Sequence, residues 1–205
     1  MLSEDRWQTL WRKLGTSAPA GSFIELQQAY SEPHRHYHSS THIAACLAHF
    51  DQWQHLGEQP LLIELALWSH DLIYDTQRQD NEAASAERAG QWLNQAGLHQ
   101  HADTLRELIL ATRHQQPAET IDAALVVDID LAILAAPATV YADYEQAVRR
   151  EYAWVPEPLF RTGRSQLLRH LLAMPALYQH RELAEQWESR ARNNLQEALL
   201  VLQQA

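Results

Sequence analysis

The chain has 205 residues, 46% hydrophobic and 20% charged, with 6 Gly and 8 Pro. That length suits a single domain, 1–205, with a sizeable core, and that composition excludes collagen-like, low-complexity and disordered classes. A formal net charge of −10 excludes the basic stripe that a phosphate backbone requires, so small partners are expected and a nucleic-acid surface is not. Cys46 is the single cysteine, which forbids an internal disulfide and any CxxC motif and points to a reducing compartment. The N-terminus MLSEDRWQTLWRK has no apolar stretch of signal-peptide length, and the uncharged run from Ala132 to Ala142 is too short for a bilayer. A soluble, cytoplasmic protein with no membrane contact is expected. Lys13 is the one lysine among 16 Lys plus Arg, leaving 15 Arg, and there are 12 His.

Apolar residues recur at three and four along most of the chain, which predicts an all-α fold. A first helix covers Glu4 to Leu14 with Trp7, Leu10, Trp11 and Leu14 on one face, and stops at Gly15. After the linker TSAPAG, Ser22 and Glu25 fit a capping box for a short helix ending near Tyr30. SEPHRHYHSST is too polar and too rich in His for an ordinary loop. A long helix starts between Ser39 and Thr41, packs Ile43, Leu47 and Phe50, and ends before Gly57. Pro60 opens LLIELALWSHDLIY, apolar all round and therefore central. Asp80 or Asn81 caps a helix reaching Gly97, and another runs from His101 to His114. In ETIDAALVVDIDLAILAA a strand is conceivable for ALVVDID, but the alanine content and the continuing LAILAA favour a helix. Three more helices span Thr139–Tyr152, Pro158–Ala173 and Gln179–Val201. Trp7, Trp11, Trp53 and Trp92 fall at core spacing.

The chemistry centres on His70-Asp71, an ionisable pair in a helix otherwise made of core residues. Buried ionisable groups are costly unless paired or bound to a metal. His42 lies upstream at the start of the preceding long helix, and Asp128 and Asp130 lie downstream in another apolar segment. Two imidazoles and two carboxylates from separate helices form a donor set suited to a first-row divalent cation.

These residues resemble the HD superfamily of metal-dependent phosphohydrolases, whose ligand order is His, His-Asp, Asp across a helical bundle. The frame YSEPHRHYHSSTHI, LWSHDLIYDTQRQDNEAASA, LATRH, VVDIDLAIL, VRREY and TGRSQLL is similar to a group of predicted HD phosphohydrolases of this length, from Tyr30 to Tyr178. The resemblance implies an HD-domain bundle with its metal site between core helices. It implies a hydrolase acting on a phosphoester or phosphoanhydride of a small molecule, a nucleotide first among candidates, with one or two divalent ions (Mn, Fe, Zn, Co or Mg).

The ligands it implies are His42, His70, Asp71 and Asp130, with His38 the alternative to His42 and Asp128 the alternative to Asp130. His42 is preferred because it leads directly into a periodic helix, and Asp130 because a Leu follows it. Asp75 and Glu82 are the candidates for orienting or deprotonating water. His38 and His114 are expected in the substrate pocket. With one lysine in the chain, Arg must hold the phosphate, so Arg35, Arg149 and Arg164 are expected to contact it. Two other functions remain open: an HD-type di-iron oxygenase, and a metal-holding, ligand-sensing module without turnover.

Overall fold

The computed structural model describes residues 2–204 and is all-α: ten α-helices, with no strand among the described residues. No single helix there is long and apolar enough to cross a membrane. The helices are α1 (Glu4–Lys13), α2 (Ser22–Ala29), α3 (Ser40–Trp53), α4 (Pro60–Ser69) and α5 (Asn81–Gln95), then α6 (Ala102–Ala111), α7 (Ile121–Asp130), α8 (Ala138–Glu151), α9 (Glu157–Ala173) and α10 (Arg181–Gln204).

Local chemistry sets some of the boundaries. In α1, Ser3 accepts the Arg6 N–H, Glu4 and Asp5 occupy the positive end of the helix dipole, and Arg12 and Lys13 occupy the negative end. Its buried face carries Trp7, whose indole meets Trp11, Trp68 and Trp92 edge-on at 5.4–5.6 Å between ring centroids. One aromatic cluster therefore joins α1, α4 and α5. Trp53, by contrast, is only partly buried at the edge of the core.

The capping box expected at Ser22 does not form. Gly21, with φ of +78°, occupies the cap position, and the Ser22 hydroxyl instead accepts the Trp7 indole N–H at 3.0 Å and donates to the Pro19 carbonyl. A contact with α1 thus takes the place of the local cap.

The central α4 is enclosed on all sides from Leu62 to Ser69 and starts with Pro60, whose missing N–H is harmless in the first turn. It packs against α3, α5, α6 and α7. Gly57 lies where the chain enters it, and a Cβ there would collide with Ile63 Cδ1.

The helix expected to run through His70 to Tyr74 stops at Ser69. The Ile73 N–H bonds the Ser85 hydroxyl, while the Asp71 and Leu72 carbonyls bond Arg35. Partners distant in sequence thus replace the next helical turn. The apolar segment 121–135 is helical, excluding the strand, but tightens to a 3₁₀ turn over Leu131–Ala135. His70-Asp71 and Asp130 are consequently at helix ends, where side chains from different helices can converge.

Candidate metal centre

Three core helices deliver the cluster. His42 sits in the first turn of α3, His70 and Asp71 at the C-terminal end of α4, and Asp130 at the end of α7. His42 Nε2 lies 3.2 Å from His70 Nε2, 3.1 Å from Asp130 Oδ1 and 3.5 Å from Asp71 Oδ2. His70 Nε2 lies 3.1 Å from Asp71 Oδ2 and 3.4 Å from Asp130 Oδ1. Donors about 2.0–2.2 Å from one cation stand about 3.0 Å apart at right angles and about 3.4 Å apart at tetrahedral angles. The observed separations match that range.

Two further observations fit a cation. Asp71 Oδ2 is buried without a hydrogen-bond partner, an arrangement that is unfavourable unless something positive satisfies it. His70 Nδ1 lies 3.2 Å from the Leu67 carbonyl, which assigns an N–H to Nδ1 and turns Nε2 towards the cluster. Burial alone would raise the Asp71 and Asp130 carboxyl pKa values, but the surrounding histidines, His70 first, hold both well below the usual range. His70 is correspondingly raised, against the effect of its own burial. Cys46 is close enough to group with His42 and Asp130, with its sulfur 3.7 Å from His42 Nε2. Burial first, then Asp130 and Asp71, keeps its thiol protonated.

A ring of polar residues holds the cluster in place. His114, the one non-glycine residue with positive φ among those described (+54°), puts Nε2 3.0 Å from Asp130 Oδ2. The two oxygens of Asp130 thus face different imidazoles. His38 Nδ1 is 2.7 Å from Glu151 Oε2, and its ring stacks on Tyr74 at 4.1 Å. The buried Glu151 carboxylate also accepts the backbone N–H groups of His36, Tyr37 and His38 and the Tyr74 hydroxyl. Sequence reading passed over Glu151, because a glutamate after two arginines on a polar helix reads as a surface residue.

Several expected roles do not fit the positions found. Arg35, expected at the phosphate, has a side chain only 1% exposed. It donates to Glu32 and to the carbonyls of His38, Asp71 and Leu72, tying the His-rich loop to the loop that carries Asp71. Arg149 donates to Glu157 and to the Tyr152 and Val155 carbonyls, closing the end of α8. Asp75 is exposed and accepts the Gln77 N–H in a turn clear of the site cavity. Asp128 is fully buried and accepts the Gln179 and His180 N–H groups and His180 Nδ1, anchoring the start of α10.

The cluster opens into a cavity of about 420 Å³ whose wall includes His38, Asp71, Glu82, His114, Asp130 and Arg164. Arg164 is held there by a bidentate contact with Glu145 and a bond to the Tyr144 hydroxyl. Arg113 belongs to the same wall, 3.7 Å from Glu82, and its Nε is buried without a hydrogen-bond partner. It was legible in LATRH, where only the histidine was singled out. Comparison with protein-family models, curated proteins and solved structures found no match for this chain.

Proposed function

We propose that this protein is a metal-dependent phosphohydrolase of the HD type, acting on a phosphoester or phosphoanhydride of a small molecule. The observation that supports this best is the convergence of His42 and His70 on Asp130 and on Asp71, whose buried Oδ2 lacks a hydrogen-bond partner. His42, His70, Asp71 and Asp130 would hold a divalent first-row ion or Mg. Such an ion makes bound water acidic enough to be a nucleophile near neutral pH and polarises a phosphoryl oxygen.

The residues around it divide the remaining work. Arg113 and His114 line the cavity beside Asp130 and would bind the phosphate oxygens, the guanidinium by paired N–H donors. Glu82, adjacent to Arg113, would accept the proton of the attacking water. Asp71 and Glu151 raise the His38 pKa against the effect of burial, and this imidazole would give a proton to the departing oxygen.

Elemental analysis should find one or two equivalents of Mn, Fe, Co or Zn. The metal-loaded protein should release phosphate or pyrophosphate from at least one member of a panel of nucleotides, dinucleotides, sugar phosphates and simple phosphate esters. No bound metal, together with failure to take up any added divalent ion, would overturn the reading.

A further inference from the structure

The cavity at the cluster reaches Arg164. Val148, Tyr152, Arg164 and Leu167 belong to its wall and also to the wall of an adjoining space of about 300 Å³. Val155, Leu159, Phe160 and Gly163 complete that space. Its polar side-chain groups are the Tyr152 hydroxyl and the Arg164 guanidinium, whose charge faces Glu145. It is therefore largely apolar, and it shares a wall with the proposed phosphate site.

Two features of α9 have no explanation in the packing of the chain on itself. Leu159 and Leu167 are 64% and 44% exposed. They lie on one helix face with Gly163 between them, four residues from each. Glycine weakens a helix interior, yet Gly163 lacks a positive φ, and nothing lies within 4 Å of where its Cβ would stand. Neither backbone geometry nor a contact within the chain requires a glycine there. A ligand lying across the helix would benefit from the missing side chain.

We propose that this space receives the non-phosphate part of the substrate. The substrate is then amphipathic: a phosphate carried on an aliphatic or aromatic group. The inference rests on the phosphohydrolase reading and narrows it. A nucleobase or sugar in this space would find only the Tyr152 hydroxyl and the Arg164 guanidinium, already paired with Glu145, to bond. A hydrocarbon has no such requirement.

Calorimetric titration of the manganese-loaded protein with inorganic phosphate and with methyl, butyl and octyl phosphate, each below its aggregation threshold, separates head from tail. Each fully buried methylene tightens binding by about four-fold. Octyl phosphate should therefore bind at least about ten-fold more tightly than butyl phosphate. Gly163→Leu should fold, because leucine is the better helix former. By occupying the space it should abolish the chain-length dependence while inorganic phosphate still binds.

Equal affinity across the series in the wild type, or an undiminished chain-length dependence in Gly163→Leu, overturns the proposal. So does a nucleoside monophosphate that binds more tightly than octyl phosphate. Sedimentation showing a wild-type dimer that Gly163→Leu dissociates would assign this face to a second copy and overturn it as well. Absence of any binding by inorganic and methyl phosphate would instead remove the phosphohydrolase reading itself.

Discussion

Arg35→Ala separates two accounts of one residue. If Arg35 held substrate phosphate, the variant would keep its stability and lose affinity. Its partners imply the opposite. The guanidinium reaches the Asp71 carbonyl at 2.6 Å, the Leu72 carbonyl at 3.0 Å and Glu32 at 2.8 Å, with a side chain 1% exposed. It also lies over the Tyr30 and Tyr74 rings, at 5.3 and 5.5 Å from their centroids. Truncation strands three carbonyls, those of His38, Asp71 and Leu72, each worth about 1–3 kcal/mol when left unsatisfied, and removes the packing of the side-chain stem. The expected loss is at least about 3 kcal/mol, or a fall in Tm of about 6–12 °C for a chain of this size. Because Asp71 belongs to the tethered loop, metal affinity should fall with it. Thermal unfolding followed by circular dichroism, with manganese titration alongside, measures both. A Tm within 2 °C of wild type, accompanied by weakened phosphate binding, would refute this account and return Arg35 to the substrate.

Asp130→Asn should lose metal by well over 100-fold, since indirect support of ligands is already worth about 10–100-fold; Asp128→Asn should keep metal but unfold at lower temperature, because Asp128 anchors the start of α10. Elemental analysis and melting curves distinguish them, and the opposite pattern would make Asp128 the ligand. His42→Ala should lose metal, whereas His38→Ala should keep it and lose turnover; metal loss in His38→Ala alone would make His38 the first ligand. Glu151 is held at about 2 against an ordinary 4.5, its burial being outweighed by the His38 hydrogen bond and the backbone N–H groups. A depressed carboxyl pKa contributes stability that is present above the unfolded value and is lost as pH falls through 4.5 towards 2. The stability of Glu151→Gln, followed by urea titration, should therefore depend less on pH than wild type in that window, by up to about 3 kcal/mol. Parallel pH profiles would show that the Glu151 cradle contributes no such pH dependence.

The all-α class and the order of the helices were legible in the sequence, because the period of apolar residues and a helix-opening residue such as Pro60 act within a few residues. His70 and Asp71 stood out because ionisable residues in apolar surroundings conflict with their neighbours, and the family resemblance singled out His42 and Asp130 beside them. The approach of His42 and His70 to within 3.5 Å of both carboxylates depends on how α3, α4 and α7 pack, and no single segment contains it. The same holds for Arg35, which reads as a mobile cation in a polar loop until Asp71 and Leu72, 36 and 37 residues away, claim its donors. Glu151 looks like one more acid on a polar helix until the N–H groups of residues 36–38 close around it. Helix formation and apolar burial follow from composition at short range, so the sequence by itself determined them. Which charged group meets which partner depends on contacts between residues far apart in the chain, and only the tertiary structure decided that.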